Sequence, residues 1–231
     1  MSSIAAVLYA PGLDYAWRAV TCIENHDLVL AGRNPRIPVL ADSADPRSWY
    51  ARSRSRVATG LLLTAPGIPQ LFMGEEFLES RPWDSDPGGA NLLDWSALDS
   101  GDKVTVDHLR FTQDLLRLRA GQPALRSDNV HPYYVSDADR VLAFHRWLPM
   151  GQDVIVVATL AESTWWSYEL GFPLAGFWRE VFNSDVYDNW VNPWVAGNGG
   201  GIDVGGPPLH GFAASASIVI PANGIVVFSR S

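Results

Sequence analysis

The chain has 231 residues, 47% of them hydrophobic, and a formal net charge of −8. That length can bury a sizeable core, as one large domain or two modest ones. An acidic chain without clustered Lys and Arg excludes a nucleic-acid binder. No apolar run is long enough to span a membrane, and one cysteine, Cys22, excludes a disulfide framework or a thiolate metal cluster.

Met1 to Ala10 reads as the end of a helix, stopped by Pro11-Gly12. It has no basic n-region, so it is not a signal peptide, and a cytoplasmic location is expected. The apolar neighbours of Cys22 make it a buried small hydrophobe, which fits a reducing compartment. Trp17 to Ile23 is an apolar, β-rich run and predicts a short buried strand. It ends abruptly in Glu24-Asn25-His26-Asp27. Asn34 to Pro46 reads as a loop.

Ser48 is an N-cap for a helix to about Thr64, with Tyr50, Val57, Leu61 and Leu62 as its stripe. The arginines between Arg47 and Arg56 fall on it and read as a solvated face. Pro66-Gly67 stops the helix, and Pro69 to Met73 is a further short strand, ending in Gly74-Glu75-Glu76. Glu75 to about Asp102 is a long Gly/Pro/Asp-rich loop, of the kind that covers a site. Val104 to Arg119 is the strongest amphipathic helix, with Leu109, Phe111, Leu115, Leu116 and Leu118 as its apolar positions. Gly121 closes it and Pro123 forbids continuation.

Beyond Arg126 short β-rich runs follow, at Arg140–Trp147, Asp153–Leu160, Trp165–Leu170, Phe177–Phe182 and Ser217–Arg230. Turn residues separate them, which predicts an antiparallel sandwich. Phe182 to Leu209 reads as a large irregular loop. The fold class is therefore α/β plus all-β. Residues 1–123 form the last two βα units of an incomplete (β/α)8 barrel, and residues 124–231 form an antiparallel β-sandwich domain. Two strands cannot close a barrel, so the true start is expected upstream.

Asn25-His26-Asp27 after a short strand, followed by Gly67-Ile68-Pro69 and Phe72-Met73-Gly74-Glu75-Glu76, resembles the alpha-amylase superfamily (glycoside hydrolase family 13). The Asn25–Asp27 segment is similar to the family's fourth conserved region, after the seventh barrel strand, and the Gly67–Glu76 segment is similar to its eighth strand. Leu92-Leu93-Asp94-Trp95, the Leu115–Arg119 helix and the tail from Val141 to Pro221 are similar to the same family's last helix and C-terminal β domain. Within the family, Leu71-Phe72-Met73-Gly74-Glu75-Glu76-Phe77 most resembles 1,4-alpha-glucan branching enzymes and trehalose-releasing glucan hydrolases.

The resemblance implies a retaining mechanism with an Asp nucleophile, a Glu acid/base and a third Asp. Only the third has a counterpart here, Asp27. Trp83-Asp84-Ser85-Asp86 and Asn183-Ser184-Asp185 lie in loops with the wrong surroundings for the other two. Asp27 would accept hydrogen bonds from sugar hydroxyls and stabilise the oxocarbenium-like centre. His26 would donate to the same sugar, with Asn25 and Glu24 orienting the pair. Glu24 reads equally as a carboxylate held by an arginine such as Arg18. Glu75 and Glu76 read as architectural.

Trp83 and Trp95 would line a glucan cleft by stacking. Trp190 and Trp194 lie in the Gly-rich loop, and Trp147, Trp165, Trp166 and Trp178 read as core or rim of the sandwich. No cofactor is expected. The five histidines lack ligand spacing, and Asp84, Asp86 and Asn91 lack the regular spacing of a calcium loop. The expected substrate is an α-1,4-glucan, whether glycogen, starch or maltooligosaccharide, and the expected partner is an upstream barrel chain, without which the chain is inactive. The alternatives are a non-catalytic glucan-binding module built on Trp190 and Trp194, or an inert truncated fragment.

Overall fold

The computed structural model describes residues 1–9, 12–86 and 92–230. Pro11 of the expected Pro11-Gly12 stop, and Asn91, lie outside them. A short helix α1 (Ser2–Val7) is followed by strand β1 (Val20–Cys22), helices α2 (Ile37–Ala41) and α3 (Trp49–Thr64), and strand β2 (Ile68–Gln70). β1 and β2 pair in parallel, with Val20 opposite Ile68 and Cys22 opposite Gln70. Parallel pairing needs a crossover, and α3 supplies it.

Ser48 caps α3: its Oγ accepts from the Ala51 N–H at 3.1 Å. Ala65, just before Pro66, is already extended, as a residue preceding proline must be. The first strand was expected to be buried, yet Val20 is 61% exposed, and Ile68 opposite it is 50% exposed. A two-stranded sheet has no further strand to cover its sides. α2 corrects the loop expected at Asn34 to Pro46; Pro38 sits in its first turn, where a fixed φ favours a helix.

The long loop after β2 holds a 3-10 turn (Glu75–Phe77) and helix α4 (Trp95–Asp99). Helix α5 (Lys103–Gly121) then starts at Asp102, whose Oδ1 accepts from the Thr105 N–H at 3.1 Å. Phe111 and Leu115 are fully buried on α5, but Leu116 is 43% exposed while Asp107, His108 and Thr112 are buried. Two of those polar groups face the neighbouring structure: Asp107 accepts from the Trp190 N–H, and His108 lines a small cavity with Glu75.

Eight strands complete the chain: β3 (Val130–Ser136), β4 (Val141–Trp147), β5 (Asp153–Thr159), β6 (Trp165–Phe172), β7 (Gly176–Asn183), β8 (Gly201–Val204), β9 (Ala214–Ile220) and β10 (Ile225–Arg230). Six form an antiparallel sheet in the order β3-β4-β5-β10-β7-β8, and β6 and β9 pair separately. One face of the large sheet packs on the β6-β9 pair through Ile155, Val157, Phe172, Trp178 and Phe228. The other packs on the helices through Leu61, Phe111, Leu115, Phe144 and Val156. The sheet is thus the middle of three layers, which is why β4, β5 and β10 read as near-continuous apolar runs. Gly60 lets α3 approach it: a Cβ there would lie 2.8 Å from Ile225 Cγ2.

Three strand expectations need correction. Ser217–Arg230 is two strands around a turn. β8 lies inside the expected 182–209 loop. β3 was overlooked because Pro132 interrupts it, which an edge strand with a bulge tolerates. The arginines of α3 do not form a solvated face either. Arg56 is 3% exposed, and both Arg52 and Arg56 donate to Asp188 Oδ1, at 3.0 and 3.4 Å.

Candidate functional site

β1 runs out at Cys22, and the chain turns at once. Asn25 makes the turn. Its Oδ1 accepts from the N–H groups of Asp27 and Leu28 at 3.0 and 2.9 Å, and its Nδ2 lies 3.6 Å from Cys22 Sγ. An Asn that closes its own loop in this way fixes the following residues without a regular element. His26 and Asp27 project outward. Their side chains are 63% and 76% exposed, with His26 Nε2 3.6 Å from Asp27 Oδ2. A hydrated carboxylate with an imidazole beside it can accept from and donate to one polyol.

Glu24 behaves differently. It is 2% exposed, and its carboxylate takes Arg36 Nε at 2.8 Å on one oxygen and the Ile37 N–H at 2.6 Å on the other. A sugar cannot reach it, so Glu24 braces the strand end rather than touching a ligand. Its partner is Arg36 and not Arg18. Arg36 also donates to the Met73 carbonyl at 2.9 Å and lies over the Phe72 ring. One guanidinium therefore ties the ends of β1 and β2 together. Sequence reasoning missed Arg36; an arginine amid Pro35, Ile37 and Pro38 was the available signal.

The segment after β2 returns to this place. Trp83 donates its N–H to the Val29 carbonyl, and its own carbonyl accepts from Ala31, at 2.9 and 2.8 Å. Its ring meets His26 and Phe72 edge-on, with centroids 6.0 and 6.4 Å apart. Trp83 and Trp95 line one cleft of about 370 Å³ together with Arg36, Met73 and Arg81. Trp95 is 55% exposed and leans on Phe77. The structure thus joins His26 to Trp83, and Trp83 to Trp95, while Asp27 stands outside the cleft lining. A larger cavity, about 1070 Å³ and mostly apolar, lies elsewhere, between α1, β1, α2 and α3.

Below the strand ends Glu75 and Glu79 are buried. Gly74, at φ +87°, turns the chain where a Cβ would lie 2.6 Å from Glu79 Cβ. Glu79 accepts from Arg81 and from the Ser80, Arg81 and Asp94 N–H groups. Those bonds outweigh its burial and hold its carboxyl below the usual range. Burial pushes the Glu75 carboxyl up to about 7, with the Glu24 charge adding to the effect. Burial takes the His108 imidazole down to about 3, with Arg56 adding to it.

These two shifts predict a pH profile. Glu75 gives stability that is present below its ordinary 4.5 and is lost as pH rises toward 7. His108 gives stability that is present above its ordinary 6.5 and is lost as pH falls toward 3. Between 4.5 and 6.5 the two slopes cancel, because folding gains a proton at one group and releases one at the other. The urea midpoint is expected to be level there with respect to this pair. Glu75→Gln should flatten the alkaline limb and His108→Gln the acid limb; limbs unchanged by both would disprove the assignment.

Among the described residues no group of three or more His, Cys, Asp or Glu is placed to hold a metal, and no helix is long and apolar enough to cross a membrane. In the β region Trp178 is core, with no exposure, and Trp166 lies at the surface, 70% exposed. Trp190 stacks on Tyr187 under the Arg110 guanidinium, whereas Trp194 is 87% exposed.

Comparison with known proteins identifies this architecture. Residues 134–231 match the model of the alpha amylase C-terminal all-beta domain. That segment takes in β4 to β10. The wider resemblance to the alpha-amylase superfamily is also borne out. The 1,4-alpha-glucan branching enzyme GlgB of Pseudomonas syringae pv. tomato is 31% identical over 224 residues, covering 94% of this chain and 28% of that enzyme. The GlgB of Pseudomonas fluorescens is 33% identical over the same length and the same shares. The chain therefore spans little more than a quarter of these curated relatives.

Among solved structures, a pullulanase from Anoxybacillus sp. LM18-11, complexed with maltotetraose, aligns with all of this chain and 30% of its own, with a TM-score of 0.66 at 19% identity. The catalytic module of the glycogen-degrading pneumococcal virulence factor SpuA aligns with all of this chain and 38% of its own, with a TM-score of 0.67 at 18% identity. Both alignments extend over the full length of this chain.

Proposed function

We propose that this chain is the C-terminal part of an α-glucan-active glycoside hydrolase or transglycosylase of the 1,4-alpha-glucan branching type. Residues 1–123 supply the last two βα units of its barrel, and residues 124–231 the β domain. The observation that carries this is Asp27. It is an exposed carboxylate at the C-terminal end of a parallel strand, where barrel enzymes hold their chemistry, in a chain aligned over 94% of its length with a branching enzyme.

Asp27 binds two hydroxyls of the distorted sugar and stabilises its developing positive charge. His26 donates to the same ring, and Trp83 and Trp95 wall the cleft that receives the glucan. The nucleophile and the acid/base come from the part of the barrel that completes the site. The half-exposed β1 and β2, and the apolar groove of about 1070 Å³ beside β1, are where that part packs.

The test is amylose remodelling, followed by iodine staining and reducing-end release, with the chain supplied alone and together with the upstream barrel region of a GlgB relative. The chain alone is expected to be silent. The reconstituted pair should be active, and Asp27→Asn should lower its turnover by about 10²–10³, the range for losing one transition-state contact. Since Asp27 is exposed, its Tm should stay put. Full activity of the Asp27→Asn pair would refute the assignment. Trp194 alone favours another reading, a glucan-binding module. Amylose retention by the isolated chain that survives Asp27→Asn and fails in Trp194→Ala would select it.

A further inference from the structure

Ser55 Oγ, Glu75 Oε1 and His108 Nδ1 are buried atoms without a hydrogen-bond partner in the protein. They come from three different elements: α3, the 3-10 turn after β2, and α5. Ser55, Glu75 and His108 are only 3%, 7% and 2% exposed. All three line one small cavity of about 10 Å³. Buried polar atoms in folded proteins almost always find partners. A cavity the size of one water sphere, with two to four unpartnered polar atoms around it, is the setting in which a water is retained.

We propose that this cavity is a binding site for a single water molecule, which bridges Ser55 Oγ, Glu75 Oε1 and His108 Nδ1 and cross-links α3, the turn after β2 and α5. The proton arrangement follows from the groups. Glu75, as a neutral acid, donates its O–H to the water. The water donates one hydrogen to His108 Nδ1, whose ring proton sits on Nε2, and the other to Ser55 Oγ.

Charge argues for a neutral occupant. Glu24 and Glu79 also line the cavity and repel an anion. A cation would be opposed by Arg36, whose charge reaches Glu75, and by Arg56, whose charge reaches His108. An apolar occupant would leave all three atoms unsatisfied. The site stands independently of the glucan reading, since none of its three bridging residues belongs to the Asp27 loop.

Diffraction at atomic resolution from crystals of the full chain tests it. One spherical peak is expected within hydrogen-bond reach of all three atoms. Glu75→Gln should keep it, and Glu75→Leu should lose it. If the leucine variant does not fold, Ser55→Ala serves instead: it leaves the water two partners and should shorten its residence time by at least tenfold in magnetic relaxation dispersion. No peak in the parent chain, side chains closed over the cavity, a peak at metal–ligand distances, or a residence time unmoved by Ser55→Ala would each overturn the proposal.

Discussion

Glu24→Ala is expected to destabilise the chain by about 3–5 kcal/mol, the usual cost of stripping one partner from a buried ion pair. The size follows from what is left behind. Arg36 is 1% exposed, and without Glu24 its guanidinium keeps only the Met73 carbonyl and the Phe72 face. The Ile37 N–H loses its acceptor as well. Glu24→Gln should cost less, because the amide oxygen still serves Ile37. Replacing both partners, Glu24→Leu with Arg36→Met, should cost less again, since no unpaired charge remains. Urea unfolding of the three variants reads this directly. A single alanine substitution that cost under about 1 kcal/mol would show the pair to be hydrated, contrary to its burial.

Arg146→Ala is the other large effect, at roughly 3–5 kcal/mol, by the cost of leaving several buried acceptors unmatched. Arg146 lies on β4 with no exposure, within reach of the Asp128 charge. It donates instead to the carbonyls of Thr64, Leu125, Ser127 and Asn129. The Thr64 carbonyl is one of those that the end of α3 leaves without an intrahelical partner, and a cation there also suits the helix dipole. Arg119 of α5 serves the next ones, donating to Leu63, Ala65 and Gly67 at 2.7, 2.8 and 2.7 Å. Arg146→Lys should recover only part of the loss, because a point charge cannot reach four acceptors at once. An Arg146→Ala chain with an unchanged urea midpoint would show that water replaces the guanidinium.

Much of this architecture was legible in the residues, for reasons that can be named. α3 carried its own start in Ser48 and its stop in Pro66. α5 carried its stop in Gly121 and Pro123, and the runs of β4 and β5 were largely apolar. Elements shaped by their neighbours were not legible. α2 sits in a proline-rich stretch, and its backbone is anchored by Glu24 from a distance. β3 carries a proline that only its edge position excuses. The polar face of α5 is buried because Asp107 meets Trp190 and His108 meets the cavity beside Glu75, and no period in the sequence announces that.

The site divides in the same way. Asn25, His26 and Asp27 advertised themselves by ending an apolar run. That Glu24 would turn inward toward Arg36 depended on a partner 12 residues away, which neither spacing nor charge specified.

The paired arginines at the end of α3 also set an order of events during synthesis. Leu63 and Thr64 leave the ribosome long before the residues that complete their hydrogen bonds, which follow 56 and 82 positions later. The last turn of the crossover helix, and the strand that hangs from it, therefore stay provisional until β4 has been translated. The β region, translated after this helix and strand, is what finishes their fold.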